Sequence, residues 1–157
     1  HFNNKILDKY RQKGIVVMFL NLDIGLGTFK PIKTEYINDH KIHQEKYSML
    51  KKEYNHLIKL KEQGYVIYSV GTTVLRSLET IAISGKYKGV TDLYITPGFK
   101  FKIVDYLITN FHAPKSTLLS IVLTIYGKNW KELYMYAQKK KMKFLSFGDG
   151  VLFKINE

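Results

Sequence analysis

Residues 65–84, Tyr-Val-Ile-Tyr-Ser-Val-Gly-Thr-Thr-Val-Leu-Arg-Ser-Leu-Glu-Thr-Ile-Ala-Ile-Ser, decide how the 157-residue chain is read. Tyr65–Val70 has the composition of a buried strand, and it runs straight through Gly71-Thr72-Thr73 into a helix over Val74–Ser84. A strand that turns into a helix across small residues is the building unit of an α/β protein.

The same alternation extends in both directions. Phe2–Lys13 carries Phe2, Ile6, Leu7 and Tyr10 at helical spacing and stops at Gly14. Ile15–Leu22 is a nearly unbroken apolar run, as expected of a strand buried on both faces. His40–Ser48 alternates weakly, like a half-exposed strand, and Leu50–Gln63 is an amphipathic helix closed by Gly64. Thr91–Ile95 and Tyr106–Ile108 read as short strands. Pro114–Tyr126 reads as a buried helix and Asn129–Lys141 as a surface helix. Lys143–Phe147 and Val151–Ile155 read as a closing strand pair around Gly148-Asp149-Gly150. The expected fold is one α/β domain over residues 1–157, a mostly parallel sheet with helices on both faces.

Composition bounds the function. There is no cysteine, which excludes disulfides, thiolate metal sites and a Cys nucleophile. The most apolar stretch, Leu118–Tyr126, is far shorter than the roughly 20 residues a membrane helix needs, so no membrane association is expected. The formal charge of +12 fits a polyanionic partner such as nucleic acid. Codon bias competes as the explanation, because of the 25 basic residues only Arg11 and Arg76 are arginine. In a chain that otherwise writes lysine, an arginine marks a place where a planar bidentate fork is wanted.

Three segments carry candidate chemistry. In an open parallel sheet, ligands sit beyond the carboxyl ends of the strands, where the Gly25-Leu26-Gly27-Thr28 and Gly71-Thr72-Thr73 loops are expected. Small residues there admit a ligand to the backbone, and free amides at a helix start attract carboxylate or phosphate. Neither loop is a dinucleotide fingerprint or a P-loop, and plain turn chemistry competes. Asn110-Phe111-His112-Ala113-Pro114-Lys115-Ser116-Thr117 is the richest segment: Pro114 can open the next helix, and Ser116 or Thr117 can cap it. That sets His112, the usual proton carrier near neutral pH, and Lys115 at the positive end of a helix. His40, His43, Glu45 and His56 do not form a metal pattern. His43 and Glu45 would share a strand face while His40 points away, and no HExxH is present.

Six blocks occur in order: 23–31 (Asp-Ile-Gly-Leu-Gly-Thr-Phe-Lys-Pro), 43–45 (His-Gln-Glu), 70–79, 96–101, 109–119 and 146–149 (Ser-Phe-Gly-Asp). Together they resemble the S-adenosylmethionine:tRNA ribosyltransferase-isomerase family of queuosine biosynthesis, over essentially the whole chain. The resemblance implies transfer and isomerisation of the ribosyl group of S-adenosylmethionine onto 7-aminomethyl-7-deazaguanine at the tRNA wobble position. Epoxyqueuosine-tRNA forms, and adenine and methionine are released. It implies a cytoplasmic, monomeric enzyme whose partners are the tRNA anticodon loop and S-adenosylmethionine as co-substrate, with no metal and no tightly bound cofactor. It also implies a larger two-domain protein of which this chain is the C-terminal part, the inserted β-barrel being absent here. His1-Phe2 resembles the end of the family's Ala-Gly-Leu-His-Phe block. Asp23 stands where the family usually has His, Lys30 and Lys143 where it often has Arg, and Phe147 where it often has Tyr.

The chemistry so implied needs a base near a cationic sulfonium, which suits His112 or Glu45. Asp149 between two glycines could accept from a ribose hydroxyl or an amine. Gly25, Gly27, Thr28, His43, Gly71, Thr72, Thr73, Arg76, Lys115, Ser116 and Thr117 are the expected substrate-binding residues, with Arg76 and Lys115 toward a carboxylate or phosphate. An aromatic ring is expected to stack on the flipped base, and the sequence does not choose which. Two other readings remain: a non-catalytic basic RNA-binding module, and a nucleotide-binding enzyme acting on a small molecule.

Overall fold

The computed structural model of the chain describes residues 2–25 and 31–155, so Gly27, Thr28 and Lys30 lie outside the described residues. The elements run α1 (Asn4–Gln12), β1 (Asn21–Asp23), β2 (Glu45–Ser48), α2 (Lys51–Glu62), β3 (Tyr68–Val70), α3 (Thr72–Ser84), β4 (Lys88–Thr91), β5 (Tyr106–Asn110), α4 (Thr117–Tyr126), α5 (Trp130–Lys139) and β6 (Gly150–Lys154). The α/β class expected from the alternation is found.

The sheet is not the one expected. The strands of the described residues form two three-stranded sheets, β1-β2-β4 and β3-β5-β6. Among the described residues only β3 and β5 pair in parallel; β1–β2, β2–β4 and β5–β6 are antiparallel. A parallel sheet needs one helix to return the chain between neighbouring strands. Here two helices, α4 and α5, intervene between β5 and β6, and the chain re-enters running the other way. α2 joins strands of different sheets.

Several local expectations shift for related reasons. Ile15–Leu22 is not a strand buried on both faces. Only its end, with Asp23, pairs with β2, and Phe19 is 61% exposed. Apolar composition reports what a segment can bury, but a strand exists only where a neighbour supplies hydrogen bonds. For the same reason β3 is short and lies at a sheet edge, with Tyr68 and Val70 half exposed; Tyr68 stacks on Tyr106 across the pair at 4.6 Å. The expected Thr91–Ile95 strand is instead Lys88–Thr91, registered against β2. Pro114 does not open a helix: α4 begins at Thr117, capped by Ser116 Oγ, which accepts from the Leu119 amide at 3.1 Å. Lys143–Phe147 is a turn rather than a strand, because Asp149 folds it back on itself.

Helix α3 holds the two sheets together. It touches β3 and β5 in one and β1 and β4 in the other. Its Leu75, Leu78 and Ile81 enter a core completed by Tyr47, Leu57, Ile95, Val104, Leu107, Ile121, Val122 and Phe153. Its buried polar residues tie it to the surrounding chain. Thr80 shares a 2.7 Å hydrogen bond with Thr91 of β4. The Glu79 carboxylate, fully buried, accepts from the backbone amides of Lys102, Ile103 and Val104 at 2.7, 3.1 and 3.0 Å. Those amides lead into β5, so this carboxylate stands in for the strand partner that the segment lacks. Asp105 extends the tie: one oxygen accepts from the Ile67 amide at 2.8 Å, and the other pairs with Lys61 of α2 at 2.6 Å.

Removing the Glu79 carboxylate orphans three amides in the core. Glu79→Ala is expected to cost about 3 kcal/mol or more. Glu79→Gln should cost less, since its amide oxygen can still serve Ile103 and Val104 while its NH2 opposes Lys102. Urea-unfolding midpoints check the order; an unchanged midpoint in Glu79→Ala overturns the role.

Candidate functional site

The β5 strand ends at Asn110, and the loop 111–116 carries the chain to α4. Within it the His112 side chain turns back into the protein. Its Nε2 lies 2.9 Å from Thr109 Oγ1, and its backbone amide donates to the Tyr134 hydroxyl of α5 at 3.0 Å. The imidazole is only 9% exposed, and burial lowers its pKa to about 4. His112 is therefore neutral at physiological pH. Burial also raises the pKa of Tyr134, which keeps its hydroxyl neutral beside the histidine.

Lys115 follows in a left-handed conformation, φ +55, with its side chain exposed. Its carbonyl accepts from the Ile32 amide at 2.7 Å, which lays the 31–37 segment beside the loop. The two surfaces enclose a cleft of about 710 Å³ lined by Pro31, Ile32, Lys33, Thr34, Glu35, Ile37 and Lys115. A second cleft of about 610 Å³ adjoins it, sharing Pro31 and Lys33 and adding His40 and His43. The His40 ring meets Tyr94 edge-on at 6.0 Å. Of the expected binding residues, His43 and Lys115 thus line adjoining space. Ser116 caps α4, and Thr117 beside it is buried with its hydroxyl unpartnered among the described residues.

Gly71 has φ +91, a conformation that side-chain-bearing residues rarely adopt, and turns β3 into α3. Its amide donates to the Ile108 carbonyl at 2.8 Å, so the Gly71-Thr72-Thr73 turn lies beside the same end of β5. Thr72 is buried and Thr73 half-buried. Gly25 is exposed.

Glu45 and Arg76 are brought together, but with each other. The Arg76 guanidinium, 1% exposed, donates through Nη1 to the Glu45 carboxylate and through Nε to the Leu93 carbonyl at 2.9 Å. Its Nη2 has no partner among the described residues. The expectation was a bidentate grip on a substrate carboxylate or phosphate; the carboxylate that Arg76 meets here is internal and is engaged through Nη1. No described hydrogen bond joins this pair to His112.

Asp149 is exposed, and its carboxylate serves the backbone: Oδ2 accepts from the Lys143 amide at 2.7 Å, while its own amide donates to the Lys143 carbonyl at 2.8 Å. Asn110 Nδ2 donates to the Gly148 carbonyl at 2.9 Å, which fastens this loop to the end of β5. Among the described residues no three His, Asp or Glu side chains cluster in a way that could hold a metal ion. No helix there is long and apolar enough to cross a membrane.

The profile of the family described as a queuosine biosynthesis protein matches residues 1–153. The chain belongs to that family. A relative from Clostridium kluyveri named S-adenosylmethionine:tRNA ribosyltransferase-isomerase is 48% identical over 98% of this chain and 47% of its own length. One of the same name from Rickettsia bellii is 47% identical over 97% of this chain and 44% of its own. The crystal structure of an S-adenosylmethionine tRNA ribosyltransferase from Thermotoga maritima is similar with a TM-score of 0.78 at 38% identity, covering 96% of this chain and 49% of that one. The chain spans about half the length of these relatives. The resemblance read from the six ordered blocks is thereby borne out.

Two hydrogen-bond partners of His112 escaped the sequence. Thr109 had a weak signal, lying three residues before His112. Tyr134, on another helix, had none.

Two expectations follow from the geometry. His112 titrates near 4 when folded and an unfolded histidine near 6.5, so the unfolded chain binds the extra proton between these values. Its contribution is complete above pH 6.5 and is lost as pH falls toward 4. Stability should drop by about 2 kcal/mol between pH 7 and pH 5, and His112→Gln should flatten that profile. For the buried pair, Glu45→Ala or Arg76→Ala should each cost about 3–5 kcal/mol, and the double variant clearly less than their sum. Additive losses in denaturant titrations would show that the two side chains act independently.

Proposed function

We propose that the protein carrying this chain transfers and isomerises the ribosyl group of S-adenosylmethionine onto 7-aminomethyl-7-deazaguanine at the wobble position of tRNA, releasing adenine and methionine. The reading rests on one observation: the family match over residues 1–153, with relatives of that name at 48% and 47% identity. Several features of the chain support it.

The substrate is a sulfonium, so a base beside it works best when it carries no positive charge. Burial keeps His112 neutral, and Thr109 and Tyr134 fix its orientation. His112 is the proposed proton acceptor at the ribose carbon next to sulfur. Lys115 sits on the rim of the cleft, suited to the methionine carboxylate or a tRNA phosphate, and His43 lines the adjoining space. Gly71, Thr72, Thr73, Ser116 and Thr117 offer backbone amides and small side chains at two helix starts. Glu45 and Arg76 act together as a positioning pair, in preference to Glu45 as a proton carrier, because Arg76 already engages the carboxylate. Asp149 is proposed to set the 143–149 loop.

The charge of +12 favours one alternative, a non-catalytic RNA-binding module. Released adenine separates the two. The natural full-length polypeptide, given S-adenosylmethionine and tRNA bearing the deazaguanine precursor, is expected to release adenine only when both are present. His112→Gln should slow that release by roughly 100-fold while changing tRNA affinity far less. Salt-sensitive tRNA binding with no adenine release under any condition would establish the module instead.

A further inference from the structure

The loop joining α5 to β6 carries two phenylalanines with opposite fates. Phe144 packs into an aromatic cluster, 5.0 Å from Phe111 and 5.7 Å from Tyr134 between ring centroids. Phe147 is 95% exposed, more than any other large apolar side chain of the described residues.

This loop is closed at both ends. Besides the reciprocal bonds between Lys143 and Asp149, Gly148 N donates to Leu145 O and Leu145 N to Phe111 O, each at 2.9 Å. Leu145 is held at φ +67, a conformation that leucine rarely adopts. A Cβ at Gly148 would come within 2.4 Å of the Lys143 carbonyl oxygen, so only glycine fits. The backbone thus accepts a strained leucine and an obligatory glycine in a loop whose Phe147 gains no packing from them.

The surrounding charge is of one sign. Lys139, Lys140, Lys141 and Lys143 are all exposed, and the one carboxylate of residues 139–149, Asp149, is engaged by the Lys143 amide. Tyr136 is half exposed with Lys140 Nζ 5.8 Å from its ring centre. A solvated planar ring beside a run of ammonium groups matches single-stranded nucleic acid: the cations follow the phosphates, and the ring stacks on a base whatever its identity. An acidic peptide would use the lysines and leave the ring idle. The buried centre of a protein interface is depleted in lysine.

We propose that Phe147 is a base-stacking platform, with Lys139, Lys140, Lys141 and Lys143 following the adjacent phosphates of an unpaired RNA strand. Asn110 fastens this loop to the end of β5, so the platform lies at the strand end from which the His112 loop leaves. The inference rests on tRNA being the substrate, and adds where its unpaired strand lies.

An anticodon stem-loop RNA with 2-aminopurine in its unpaired loop, titrated into the full-length polypeptide, tests it. Binding is expected to quench the fluorophore. Phe147→Ala should weaken affinity about tenfold and remove the quench, leaving the salt dependence unchanged, while Phe147→Tyr keeps both. Lys140→Gln with Lys141→Gln should instead lower the slope of log affinity against log salt by about 1.4. If Phe147→Ala keeps both affinity and quench, the platform is overturned and the tRNA reading stands. The same holds if that variant changes only the oligomeric state, which would assign the ring to a protein contact. If the unaltered protein binds no RNA, both fall.

Discussion

The buried pairing of Arg76 with Glu45 is the constraint on which the arrangement of the two sheets turns. A guanidinium withdrawn from water is tolerated only when its charge and donors are answered within the protein. Glu45 of β2 and the Leu93 carbonyl provide two of those answers, and so fix α3 against the antiparallel sheet. One turn further along the same helix, Glu79 makes the opposite arrangement, a buried carboxylate answered by three amides that lead into β5 of the other sheet. A single helix thus carries a cation for one sheet and an anion for the other. Apolar contact alone would let such layers slide, whereas directional bonds between buried charges set one register.

The ends of β3 and β5 gather what this anchoring leaves free. Gly71 turns the chain from β3 into α3, the 111–116 loop leaves β5 for α4, and Asn110 draws in the 143–149 loop. Ile32 brings a fourth segment through its bond to Lys115. The electrostatic consequence is uneven. His112 lies deep enough that burial suppresses its charge, while Lys115 and the lysines of α5 remain in water. One imidazole is thus kept neutral inside the protein while the surrounding ammonium groups stay charged and solvated.

Where the reading of the sequence and the structure part, the cause is pairing. Amphipathic helices were legible because their periodicity reports a property of one segment, and α2, α3 and α5 fall within a few residues of where it places them. Strands were legible only as apolar runs. Whether Ile15–Leu22 or Lys143–Phe147 becomes a strand depends on which other segment lies alongside, and no local pattern carries that. The parallel sheet failed likewise, since direction is a relation between strands.

The sequence by itself determined the family, through six ordered blocks, and with it the α/β class and the short list of residues worth watching. It also marked Arg76 as exceptional, because one of only two guanidinium groups among so many lysines suggests a geometric purpose. Only the tertiary structure decided what that purpose is, since the partner lies 31 residues away on another element. It alone showed that His112 is buried and held neutral, because burial is a sum over neighbours that are remote in the chain. It alone distinguished Phe147 from Phe144. Both are phenylalanines in one loop, and their difference in exposure comes from the hydrogen bonds that close the backbone, which residue identity does not encode.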